Sequence, residues 1–296
     1  MRVLILGGGG MLGHKLVQAY KERFETWVTL RSEFHDYERF NFFERERTIG
    51  GVDGFDVATV VRAFHTARPE VVINAIGVIK QLPEADDAFT ALNINSLFPH
   101  RLAALCRASG CRLISLSTDC VFNGRRGAYT EDDISDAEDM YGRTKFLGEV
   151  AAEQCLTLRT SIIGRELASS HGLVEWFLNN VGKTVRGYTE AIYTGLPTAI
   201  MAELIATVIE DHPDLSGVYH VSSDHISKYD LLVLMRDAYG IQIEIAPFDG
   251  YRIDRSLNSK RFRDVTGFKP KPWAEMINAM AADSTPYDEW RRTSGS

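Results

Sequence analysis

Apolar and polar positions along this chain alternate between two periods. Val3–Leu6 is an unbroken apolar run of the kind a strand covered on both faces needs. Behind it, Leu12, Leu16, Val17 and Tyr20 recur at helical spacing and predict a helix over Leu12–Tyr20. The same alternation predicts strands at Thr26–Leu30, Val71–Ala75 and Arg112–Ser117, and helices at Val57–Ala67 and Asn95–Ser109. A further helix is predicted to begin near Tyr141. Strand and helix in strict turn imply an α/β fold, a doubly wound parallel sheet with right-handed crossovers. Such a sheet binds ligands beyond the carboxyl ends of its strands. Three polar or glycine-rich stretches fall there: "GGGG", "NAIG" and "STDC".

After about residue 160 the alternation breaks down. Gly and Pro interrupt it at "GYTEAIYTGLPT", and "SGVYHVSS", "IQIEIAPF" and "GFKPKPW" suggest short strands and loops of a smaller mixed α/β region. The polar stretch Asn123–Met140 is expected to be a bounded loop near the ligand-binding edge, because patterned sequence resumes on both sides of it. These patterns divide the chain into 1–158, a doubly wound α/β domain, and 159–296, mainly the smaller mixed region.

Charge and composition narrow the class. A net charge of −7 with no basic stripe excludes general phosphate neutralisation, so no nucleic-acid partner is expected. The leading apolar run is too short for a signal or spanning segment, so a membrane role is not expected either. Cys106, Cys111, Cys120 and Cys155 lack C-x-x-C spacing, and the eight histidines form neither H-E-x-x-H nor H-x-H. Free thiols in a reducing cytoplasm and no metal site are the expectation.

The chemistry begins at the glycine run. A strand turning directly into a helix aims free N–H groups and a positive dipole end at the turn, which suits a pyrophosphate. Gly8, Gly10 and Gly13 fit G-x-G-x-x-G, whereas Gly7, Gly10 and Gly13 fit G-x-x-G-x-x-G. The strand "TWVTL" then ends in Arg31-Ser32 rather than in an acid. A guanidinium beside a hydroxyl favours a 2′-phosphate, hence NADP(H) over NAD(H). Asp53, before the next helix, could accept from an adenine amino group. In "YGRTK", Tyr141 and Lys145 stand at i,i+4 on one helix face. An ammonium there would lower the phenol from its usual pKa of about 10, so that it can pass a proton to a carbonyl oxygen. Ser117 and Thr118 end a parallel strand, where a hydroxyl could polarise the same carbonyl. Asn95 could hold a water near Lys145 or cap its helix.

Taken together, "GGGGMLGHKL", "RPEVVINAIG", "STDCVFNG", "YTEDD", "YGRTKFLGE", "LRTSIIG" and "YTGLPT" resemble the extended short-chain dehydrogenase/reductases. Within these, the chain is similar to the dTDP-4-dehydrorhamnose reductase family of sugar-nucleotide enzymes. The resemblance implies a Rossmann-type domain with a substrate region whose segments recross the boundary. It implies Thr118, Tyr141 and Lys145 as the catalytic set. It implies a cofactor lined by Gly7, Gly10, Met11, Leu12, Gly13, Arg31, Ser32, Asp53, Asn74 and Ala75, together with Tyr141 and Lys145. The register Gly7, Gly10, Gly13 follows from the same likeness. A homodimer would accord with it.

Three departures bear on substrate. Cys120 stands where rhamnose-pathway reductases carry Tyr and where 4,6-dehydratases carry Glu. Enzymes of the GDP-fucose synthase type carry Cys there, with a His whose counterpart is His171; together these would serve a 3,5-epimerisation. Ile162 replaces a Trp, and Lys80 lies in the divergent "NAIGVIKQ". The expected activity is reduction of a 4-keto-6-deoxy nucleoside-diphosphate sugar. Lys80, Thr118, Asp119 and Cys120 would line the sugar, and Arg186 and Arg255 would meet the diphosphate. The alternatives are the bifunctional epimerase/reductase using Cys120 and His171, and a non-catalytic regulatory subunit.

Overall fold

The computed structural model describes residues 1–292. Its centre is a parallel sheet of seven strands. In chain order these are β1 (Arg2–Leu6), β2 (Glu25–Thr29), β3 (Thr48–Ile49), β4 (Val71–Asn74), β5 (Arg112–Ser117), β6 (Cys155–Arg159) and a last strand, Gly217–His220. Across the sheet they run Gly217–His220, β6, β5, β4, β1, β2, β3. All adjacent pairs are parallel. Strand order reverses at β1/β4, the crevice where such sheets hold ligands.

Strand polarity explains the two-sided burial. In β1, Val3 and Ile5 enter one core and Leu4 and Leu6 the other. β4 does the same with Val71 and Ile73 against Val72. A strand apolar at every position can only sit between two layers of helices. The first layer holds α1 (Met11–Tyr20) packed on the helix Thr198–Asp211, tied by the Tyr20 hydroxyl to the Ala202 carbonyl at 2.9 Å. The second holds α2 (Val57–Ala67) and the helix Phe98–Ser109. The smaller region contributes the parallel pair Thr184–Tyr188 and Glu244–Phe248, and a three-stranded patch built on Ala191–Tyr193.

Two expectations change, and one short strand has no counterpart among the predicted elements. "GVYH" is not part of the smaller region: Gly217–His220 pairs with β6 and closes one edge of the main sheet. β3, only two residues long, carries too little period to be read from sequence. The predicted helix Asn95–Ser109 is interrupted, because Leu92–Leu97 forms a π-helical turn before Phe98–Ser109. Such turns often mark functional positions. Here the turn sets Asn95, 1% exposed, to bond both backbone groups of Val78 through its amide, at 3.0 and 3.1 Å. Its side chain thereby pins the loop after β4.

The Asn95 carbonyl is also the floor on which the helix Met140–Leu147 ends. A Cβ at Gly148 would lie 1.9 Å from that oxygen. Gly148→Ala should therefore cost about 1–3 kcal/mol, roughly 3–10 °C in Tm by calorimetry; an unchanged Tm would show that the helix is free to move.

Candidate active site

Gly7 leaves β1 at φ +86°, in the left-handed region, and a Cβ there would stand 3.0 Å from Ile76. Its amide donates to the Thr29 hydroxyl at 3.2 Å. Gly10 is the exposed cap of α1, with no side chain bonded to the helix N-terminus and no acid in the first turn. A Cβ on Gly13 would lie 2.1 Å from the Gly7 carbonyl oxygen, so α1 begins directly on the turn. Gly8 is closed too, but by Val28 of β2 rather than by the helix. The turn thus offers the uncapped helix end and close backbone approach that a pyrophosphate needs. Met11 and Leu12 form its first turn, Leu12 in the core and Met11 half-buried.

Around it, Arg31 and Ser32 are exposed just past β2, and among the described residues no carboxylate pairs with Arg31. Asp53 is half-buried and accepts the Phe55 amide at 2.9 Å. Asn74 is buried, its amide oxygen holding the Ile76 N–H at 3.1 Å, and the Ala75 backbone lies against Gly7.

The second centre lies beyond β5. Thr118 is buried; its hydroxyl accepts the Cys120 N–H and donates to Asp119, both at 3.1 Å. The Tyr141 phenol lies beside the same hydroxyl, which acts against the rise of its pKa. Gly142 brings the Tyr141 helix this close, since a Cβ there would stand 2.2 Å from the Cys120 carbonyl. Asp139 caps that helix through the Gly142 amide at 2.7 Å and pairs with Lys80.

The electrostatics correct one expectation. The Tyr141 phenol is raised, not lowered: burial dominates, and Cys120, Asp119 and Asp139 add to it. Lys145 is instead turned to the Leu116 carbonyl at 2.7 Å, and burial lowers it to about 8 against the pull of Glu149. Burial pushes the Cys120 thiol up to about 12, with Asp119 adding and Arg255 opposing. It raises the buried Asp119 carboxyl as well, again opposed by Arg255. Ser117 does not face this centre. Its hydroxyl donates to Glu149 at 2.6 Å, and Glu149 is gripped by Arg159 through two bonds of 2.7 Å.

The remaining candidates separate. Arg255 is half-buried, bonds the Phe122 carbonyl at 2.8 Å and acts on Asp119, Cys120 and Asp139. Arg186 is exposed and stacked over Phe248 at 5.0 Å, with no bond to that cluster among the described residues. His171 is exposed on the loop before Leu173–Leu178, where Gly172 packs on the Met11 methyl. Among the described residues, no hydrogen bond or ion pair joins His171 to Cys120.

Sequence reasoning missed two features. One is Tyr193, buried near Asp119 and Cys120, with Ser161 beside its hydroxyl. The other is a cleft of about 580 Å³ between the Asn123–Arg126 turn and Arg252–Asp254. Tyr193 opens "YTGLPT", but its place beside Asp119 and Cys120, like the cleft, arises where distant segments meet. No group of three or more His, Cys, Asp or Glu among the described residues could hold a metal ion.

A thiol held near 12 is a poor nucleophile at neutral pH. Iodoacetamide should label Cys120 about tenfold or more slower at pH 8 than an unfolded-chain thiol, and faster as pH approaches 12, by peptide mass spectrometry.

Comparison with known proteins follows the same lines. Residues 1–285 match the family described as RmlD substrate binding domain. The spore coat polysaccharide biosynthesis protein SpsK of Bacillus subtilis is 26% identical over 293 residues, covering 93% of this chain and 95% of the relative. Methionine adenosyltransferase 2 subunit beta of Xenopus tropicalis is 24% identical over 298 residues, covering 94% and 80%. The crystal structure of a hypothetical dTDP-4-dehydrorhamnose reductase from Sulfolobus tokodaii superposes with a TM-score of 0.76 at 25% identity, over 92% of this chain and 98% of that one. The dTDP-4-dehydrorhamnose reductase of Bacillus anthracis, solved in complex with NADP, gives 0.76 at 20% identity, over 94% and 98%. With nearly its whole length matched, this chain belongs to the RmlD substrate binding domain family.

Proposed function

We propose that this chain reduces a 4-keto-6-deoxy sugar carried on a nucleoside diphosphate, using NADPH. The observation that carries the reading is the convergence of Thr118 and Tyr141 at the end of β5 in the same sheet whose β1 ends in the uncapped glycine turn. The turn Gly7–Gly13 would hold the pyrophosphate, Arg31 and Ser32 the 2′-phosphate, and Asp53 the adenine edge. Asn74 and Ala75 would form the wall under the dinucleotide. When bound, NADPH supplies a hydride to the ketone carbon.

The chain's own groups manage the oxygen. Burial keeps the Tyr141 phenol protonated at neutral pH, so it can give its proton to the oxygen as negative charge develops there. Thr118 donates a hydrogen bond to the same oxygen. Lys145, mostly charged below about pH 8, supplies an ammonium for ribose hydroxyls. Asp119, Cys120 and the buried Tyr193 hydroxyl line the sugar side. Arg255 and the exposed Arg252 at the cleft are the cations for the diphosphate, and Lys80 closes the rim on Asp139.

The test is turnover of dTDP-, UDP- and GDP-linked 4-keto-6-deoxy sugars with NADPH, with products identified by mass. Tyr141→Phe should lower kcat by about 10²- to 10⁴-fold while NADPH still binds, because only the proton donor is lost. Undiminished turnover in Tyr141→Phe would remove the phenol as proton donor, and no turnover of any of these sugars by the wild-type chain would overturn the reductase reading and leave a regulatory role. Arg31→Ala should weaken NADPH binding by about tenfold or more and leave NADH nearly unaffected, since it deletes a charge-assisted contact to the 2′-phosphate alone. Equal losses for both dinucleotides, by fluorescence titration, would remove Arg31 from that role.

A further inference from the structure

His14 lies one turn along α1 from Gly10 and is completely buried. Its Nδ1 is 2.9 Å from the Gly10 carbonyl oxygen, and its Nε2 is 2.8 Å from the Tyr287 hydroxyl. Burial lowers its pKa to about 4, so it is neutral. A carbonyl only accepts, so Nδ1 carries the proton and Nε2 accepts from the Tyr287 hydroxyl, whose one proton also faces Asp283 at the longer distance of 3.2 Å. Tyr287 itself is buried and sits on the helix Tyr287–Arg292, past the residues matched to the family.

Two more chains of contact run from the same C-terminal segment to the same turn. Trp290 packs on Phe40 with ring centroids 5.1 Å apart; Phe40 touches Tyr37, whose ring leaves 3.0 Å for a Cβ at Gly9. Arg291 bonds the Glu166 carbonyl and the fully buried Glu175, and Glu166 holds the Gly172 amide at 2.8 Å, where Gly172 packs on Met11. Arg165 bonds the other oxygen of Glu175 at 2.7 Å. Asp283 anchors the start of the segment on Lys15 at 2.8 Å. Gly9, Gly10 and Met11 are thus each braced from residues 283–291.

We propose that the C-terminal segment is the positioning element of the dinucleotide turn, with His14 and Tyr287 the hydrogen-bonded link that sets Gly10. This rests on the reading of that turn as the dinucleotide site. Gly10 has no side chain with which to fix its own backbone, and the imidazole does this from behind. His14 and Tyr287 are both buried behind the turn, so their loss acts through it. Coupling of this kind is reciprocal: a segment that improves dinucleotide binding is itself stabilised by the dinucleotide.

Two measurements test it. Tyr287→Phe keeps the ring and removes the donor to His14. The Kd and KM for NADPH should rise about 3- to 10-fold, with kcat and the sugar KM within about twofold, the scale of one neutral hydrogen bond. A purely structural role would lower Tm without this split. In the wild-type chain, saturating NADPH should slow amide hydrogen exchange across 283–291. Unchanged exchange there, or an unchanged NADPH Kd in folded Tyr287→Phe, would overturn the inference while leaving the reductase reading intact. A wild-type chain that binds no dinucleotide would overturn both.

Discussion

The closeness of α1 to the end of β1 is the constraint on which the site depends. Gly13 stands where any Cβ would enter the Gly7 carbonyl, and Gly7 holds a backbone angle that a side chain opposes. The helix therefore starts within the turn rather than after a loop. Its unbonded N–H groups and its dipole stay concentrated at one point of the sheet edge, instead of being quenched by a capping side chain. The crevice between β1 and β4 would suit an anion for this geometric reason, without a lysine or arginine in the turn.

A second close approach builds the other half. Gly142 lets the Tyr141 helix press against the Cys120 carbonyl, and Gly148 lets its far end rest on Asn95. These two contacts place a phenol, a hydroxyl, a thiol and a carboxyl in one poorly hydrated space. Burial is then the strongest influence on the titrations of the phenol, the thiol and the carboxyl, which is why all three move up. For a group that must give a proton to a ketone, a raised pKa preserves the donor state at neutral pH. Behind the space, Glu149, Arg159 and His220 form a satisfied buried network. The imidazole, lowered to about 4, accepts from Arg159 at 3.2 Å and donates to Tyr129. Such a network is costly to break because removing one partner strands a buried charge.

Much of the architecture was legible in the residues. α2 and β5 occupy the spans their periodicity predicts. The glycine register, open between Gly7 and Gly8 on spacing alone, corresponds to a real difference, since Gly7 faces the helix start and Gly8 faces β2. What spacing could not convey was direction. Tyr141 and Lys145 share a helix face, yet the ammonium is turned to Leu116, and the adjacent hydroxyls of Ser117 and Thr118 point to different partners. Arg186 and Arg255 looked equivalent as cations; only one is held beside the cysteine and the aspartate.

By itself the sequence determined the parallel sheet, the turn that begins α1 and the chemical kinds gathered at the strand ends, because these depend on period, glycine sterics and local spacing. The tertiary structure decided the titration of Tyr141 and Cys120, the capture of Gly217–His220 by the main sheet, and the bracing of Gly10 by a residue 277 positions away, Tyr287, through His14. Those outcomes depend on which segments remote in the chain exclude water from one another. No local pattern encodes that.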